Sequence, residues 1–130
     1  MDDLSLLLLL QCAYSGLGAG YNLLSLKRLR QGLTPLSASE PTVGLKMMSI
    51  VFLVAIIGWA GYYRLYIVLA SLIAVLIIRG GIFAHVINFS QHDWIASYCS
   101  KGSLIAAIVI NVFGSLVIVG ALIIVIKMVV

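Results

Sequence analysis

The sequence predicts an all-α integral membrane protein: four transmembrane helices in an up-down bundle with short connections, forming a single domain over residues 1–130. Three observations carry that prediction. Hydrophobic residues make up 63% of the chain and charged residues 9%, against about 25% charged in soluble domains, so these side chains cannot clothe a water-facing surface. The mean hydropathy of +1.20 agrees. The apolar residues gather into four runs, at about 4–26, 42–62, 65–84 and 103–126, each near the roughly 20 residues a helix needs to cross a bilayer core. The charged residues stand at the ends of these runs, as flanking residues of membrane helices do. Four crossings leave only short connections, which excludes a separate soluble catalytic or nucleic-acid-binding domain.

The first run opens after Asp2 and Asp3 and closes on Lys27, Arg28 and Arg30. A secretory signal has the opposite order, basic start first, so this run is read as a retained span. Gly32, Pro35 and Pro41 mark the following connection, with Ser39 placed to cap a helix whose first turn accepts Pro41. The second span then reaches Tyr62. Trp59, Tyr62, Tyr63 and Tyr66 around Arg64 have the composition of a membrane-water interface holding a tight turn. The third span is interrupted by Arg79, Gly80 and Gly81, which makes helical continuity towards His85 and His92 doubtful. Ser90 and Asp93 read as the capping box of a short interfacial helix within about 90–100, ended by Lys101 and Gly102. The last span runs to Ile126, with Lys127 at its far end.

Lys27, Arg28, Arg30, Lys46, Arg79 and Lys101 fall on one side of this layout, and Arg64 and Lys127 on the other with Asp2 and Asp3. The positive-inside rule makes the first side cytoplasmic and puts both termini outside. The expected location is a bacterial inner membrane, with both termini periplasmic. The formal net charge of +4 is accounted for by this topology and implies no nucleic acid. Cys12 and Cys99 are too few for a disulfide framework and match no metal-ligand spacing.

Leu against Leu gains nothing in lipid, so helices associate there through close backbone approach and a few polar contacts. Gln11, Ser15, Gly18 and Asn22 recur at helical spacing in the first span, and Gly16 with Gly20 forms a small-xxx-small pair. Ala70 with Ala74, and Ala107, Asn111, Gly114 and Ser115, make similar stripes in spans three and four. Ser15 and Asn111 come out nearly level, each roughly 12 to 17 Å deep, which suggests a hydrogen bond between them.

Chemistry-bearing residues are scarce. No Asp or Glu lies within a run, and Gln11, where an acid would permit proton exchange, cannot titrate. No Ser or Cys has both a His and a carboxylate within plausible reach, so no catalytic residue is assigned and the chain is read as a non-enzyme. The expected function is packing: an accessory or stabilising subunit of a larger membrane complex, or a self-assembling oligomer, with membrane lipids and other subunits as partners. The alternatives are a small channel or carrier for a neutral or lipophilic solute, lined by residues such as Gln11, Ser15, Asn22, Asn111 and Ser115, and an anchor binding a quinone, haem or lipid headgroup near Arg79, His85, Asn88 and His92. No metal site and no required cofactor are predicted.

Overall fold

A computed structural model describes residues 2–91 and 94–130. The described chain is all-helical: α1 (Asp3–Arg30), α2 (Pro41–Trp59), α3 (Tyr63–Leu76), a π-helical stretch (Ile77–Phe83), α4 (Ala84–Ser90), α5 (Trp94–Ser97) and α6 (Lys101–Val129). α3, the π stretch and α4 form one unbroken helix, so the described residues include four helices long and apolar enough to cross a membrane.

Local sequence explains most helix ends. The Asp2 carboxylate accepts the Ser5 N–H at 2.7 Å and caps α1. α1 and α2 both end in Schellman motifs, in which the N–H groups of two residues past the helix reach back to its last free carbonyls. At α1, Gly32 N–H and Leu33 N–H reach Leu29 O and Arg28 O; at α2, Gly61 and Tyr62 reach Gly58 and Ile57. Both motifs need a left-handed residue, and Gly32 (φ 71°) and Gly61 (φ 80°) supply it.

Several expected ends differ. Glu40, not Ser39, is the N-cap of α2, and its carboxylate takes the Thr42 hydroxyl instead of a backbone N–H. Ser90 is the last residue of α4, with its hydroxyl folded back on Ile87 O, so it does not begin a helix. Asp93 lies outside the described residues. Lys101 and Gly102 start α6 instead of ending an interfacial helix, because Ser100 before them and Ser103 after them form a reciprocal capping box. Gly80 and Gly81 do not break the third helix; the backbone passes them in π geometry, which keeps internal hydrogen bonds while widening the turn.

The long helices pack in a ring: α1 against α2 and α6, α3 against α2 and α6, and the π stretch against α6. Partner residues run in opposite order along neighbouring helices. Leu8 meets Gly58, Gly18 meets Met48 and Asn22 meets Gly44, while Leu7 meets Gly120 and Tyr14 meets Gly114. Leu8, Tyr14, Val51, Val54, Tyr66, Ala70 and Ile118 form the centre of the core. Only 22–39% of each long helix's most apolar window is buried, so most of the apolar surface faces outward, the reverse of a water-soluble bundle.

Candidate functional site

Polar side chains divide the bundle into two halves. In the half holding the N-terminal part of α1, Gln11 is fully buried and fully engaged. Its Nε2 donates to Val51 O at 3.1 Å, and its Oε1 accepts the Tyr66 hydroxyl at 2.9 Å. Ser15 donates to Met48 O at 2.7 Å. Tyr14 donates to Asn111 Oδ1 at 3.1 Å, and its ring fills the space that a side chain at Gly114 would take. The expected Ser15–Asn111 bond is therefore not formed. Ser15 turns towards α2, and its neighbour Tyr14 reaches α6 in its place. Ser115 is also buried, and its hydroxyl has no partner among the described residues.

The other half contains a cavity of about 330 Å³, within the size range of small-ligand sites. It lies between α2 and the π stretch, backed by Tyr14, Gly18 and Asn22 of α1 and by Ala107, Ile110 and Asn111 of α6. Val43, Gly44, Met47 and Met48 form the α2 wall, and Ile77, Gly80 and Gly81 the opposite one. Glycine makes this arrangement possible: a Cβ on Gly81 would stand 2.6 Å from the Asn111 side chain, and one on Gly44 would overlap Asn22. Asn22 and Asn111 each donate Nδ2 to the carbonyl four residues back, Gly18 and Ala107, both at 2.8 Å. Those bonds fix the amide orientation, since only nitrogen can donate there.

Ser37, Ser39 and Glu40 border the cavity from the α1–α2 connection. That connection is tied down. Ser25 Oγ accepts Leu36 N–H at 3.0 Å, and the Tyr21 hydroxyl lies 2.8 Å from both Leu36 O and Ser103 O. Cys99 N–H donates to Pro35 O at 2.9 Å, joining the connection to the segment before α6. That segment is held in turn by Tyr98, whose hydroxyl meets His85 Nδ1 at 2.5 Å and accepts from Asn88 Nδ2 at 3.3 Å.

The residues singled out by sequence thus fall into separate places. Gln11, Ser15, Gly114 and Ser115 belong to the closed half and do not border the cavity, whereas Asn22 and Asn111 do. Gly16 and Gly20 have nothing within 4 Å of a Cβ and make no close approach among the described residues, because they lie off the stripe that α1 turns to α2. His85 borders the cavity and joins Asn88 at Tyr98, while Arg79 is exposed and stands apart from it. His92 lies outside the described residues. No group of three His, Cys, Asp or Glu able to hold a metal occurs among the described residues.

Sequence reasoning missed the tyrosines. Tyr66 is fully buried instead of lying in an interfacial belt, and Tyr14, Tyr21 and Tyr98 each join two segments of chain. One signal was present: Tyr14 lies on the Gln11–Gly18 stripe, and Tyr66 is four residues before Ala70. Glu40, Met47 and Met48 were not singled out as site residues and had no such signal. Comparison with known proteins finds no matching family model, curated protein or solved structure.

Proposed function

We propose that this chain is a four-span integral membrane protein, an up-and-down bundle with both termini on the non-cytoplasmic side, that binds a small amphipathic molecule in its cavity. The observation carrying this reading is the contrast between the two halves. A cavity of about 330 Å³ bears apolar walls and a few polar groups, the composition of ligand sites, while the opposite half is filled by Gln11, Tyr66 and Tyr14. A solute route through one such chain would have to break those contacts, so binding is favoured over a channel. The reading assigns no catalytic residue. It also favours a bacterial inner membrane, with Arg79 and Lys101 at the cytoplasmic headgroups.

The test uses the methionine methyl groups. Met47 and Met48 line the cavity and Met128 is exposed near the far end of α6, so methyl NMR of the full chain in uncharged detergent separates cavity binding from partition into the micelle. Phenethyl alcohol as probe is expected to shift Met47 and Met48 saturably and Met128 little. Gly80→Leu, at a cavity position with nothing within 4 Å of a Cβ, is expected to weaken that binding while the rest of the spectrum stays native-like. Equal, unsaturable shifts at all three methyls would remove the reading.

A second reading, self-assembly, is favoured by one feature. Gly16 and Gly20 leave an open shelf on the outer face of α1, beside exposed Leu17 and Leu24, where a second helix in lipid has room for close backbone approach. Native mass spectrometry of the chain and of Gly16→Leu tests it: an oligomer abolished by the substitution is the expected result.

A further inference from the structure

The next inference rests on the binding reading and concerns which chemistry the cavity accepts. Among the described residues that border it, Glu40 carries the only formal negative charge, and no Lys or Arg joins it. This end of the molecule is otherwise basic, but Lys27, Arg30, Lys46, Arg79 and Lys101 are exposed and, in a bilayer, reach for headgroup phosphates. The charge that meets an incoming molecule at the cavity wall is therefore opposite to that of the surrounding surface.

Glu40 does not act alone. Its backbone carbonyl accepts the Gly44 N–H at 3.1 Å in the first turn of α2, and Asn22 lies directly over Gly44, where any Cβ would collide with it. Asn22 Nδ2 is committed to Gly18 O at 2.8 Å, which leaves its Oδ1 free to accept. An acidic residue and an amide oxygen thus border the same cavity, Glu40 lying one turn of α2 before the glycine that Asn22 covers. Beyond them the walls are Met47, Met48, Ile77 and Ile110. An anionic head would meet a like charge there with no counter-ion, and a purely apolar molecule would leave Asn22 Oδ1 without a donor and Glu40 with the Thr42 hydroxyl alone.

We propose that the cavity takes a primary ammonium carried on a short apolar body, its N–H groups bonded to Glu40 and Asn22 and its body packed against Met47, Met48 and Ile110. Glu40 is exposed, so the charge contributes selectivity more than affinity.

Three probes with the same phenethyl frame test the assignment in the methyl NMR titration described above, at neutral pH and low salt. Phenethylammonium is expected to bind about fivefold more tightly than phenethyl alcohol, the most an exposed pair commonly yields, and 3-phenylpropanoate more weakly than both. Glu40→Gln is expected to bring the ammonium to within about twofold of the alcohol, and added salt to do the same in the native chain. Glu40 makes no side-chain bond to the α2 backbone, so this substitution leaves the helix start intact. If the alcohol binds and the ammonium is no tighter, or if Glu40→Gln keeps the preference, the ammonium assignment falls and the cavity reading stands. If no probe shifts Met47 and Met48, both fall.

Discussion

The two halves of this bundle are built from the same kinds of residue and end in opposite states. Both combine glycine, an amide side chain and a tyrosine on facing helices. In the closed half, Gln11 reaches across to Val51 and Tyr66, and Tyr14 covers Gly114. In the open half, Asn22 and Asn111 donate back to their own helices at Gly18 and Ala107, Asn111 also accepting the Tyr14 hydroxyl of α1, and among the described residues no tyrosine hydrogen bond joins α2 to the π stretch. The difference is one of reach. A glutamine side chain extends to a neighbouring helix, while an asparagine one methylene shorter closes on the carbonyl one turn back. Where the amide nitrogen donates across, it ties α1 to α2; where it donates back, it adds no bond between α2 and the π stretch.

Substitutions can break or sharpen this comparison, and the largest effect is expected at glycine. Gly114→Val drives a branched side chain into the Tyr14 ring and is expected to destabilise the bundle by about 3 kcal/mol or to rearrange it. Gly16→Ala, with open space at its Cβ, should be neutral or stabilising by at most about 1 kcal/mol. Thermal unfolding of both variants in one detergent checks the contrast.

Next comes the amide bridge. Gln11→Leu leaves the buried Tyr66 hydroxyl without its acceptor, with an expected loss of about 1–2 kcal/mol. Tyr66→Phe restores part of that loss in the double variant if the two side chains act as a pair, which a double-mutant cycle measures. Additive losses would show that the bridge contributes no coupling.

Ser115 offers a change of opposite sign. Its buried hydroxyl has no partner among the described residues, so Ser115→Ala removes an unmet polar group and is expected to stabilise by about 1 kcal/mol. Destabilisation would point to an ordered water at that position.

The smallest effect lies at the start of α1. Hydrogen bonding to Ser5, through its hydroxyl and its backbone N–H, holds the Asp2 carboxyl below its ordinary value of 3.8. A lowered folded-state value means that the cap is intact above pH 3.8 and is lost as the pH falls through the lower folded value. Protection of the Ser5 amide, its exchange rate relative to the intrinsic rate at the same pH, should therefore be high at neutral pH, fall in strong acid and be low at all pH in Asp2→Ala, with the amides of Gln11 and Tyr66 keeping their protection throughout.

How far the sequence reaches differs between these features. The stripe of Gln11, Ser15, Gly18 and Asn22 is legible because helical periodicity alone puts these residues on one face, and the structure turns Gln11, Ser15 and Gly18 onto α2. Gly16 and Gly20 look equally suited to contact, yet small size says only that a neighbour can approach. Tyr66 is misleading for a similar reason: an aromatic residue at the start of an apolar run suits an interface as well as a core. The cavity leaves no mark at all, since it exists where two helices fail to touch, and its walls come from residues as far apart as Tyr14 and Asn111.

By itself the sequence determined what is local: helices of membrane-crossing length, the Asp2 cap, and the two glycine-dependent helix ends at Gly32 and Gly61. These depend on hydrogen bonds between residues a few positions apart and on the φ angles that glycine alone adopts freely. Only the tertiary structure decided which glycines meet a partner, which amide bridges two helices, and where Glu40 and Asn22 come to flank one cavity. Each of these depends on the separation of helix axes, and that distance follows from all the side chains between them acting together.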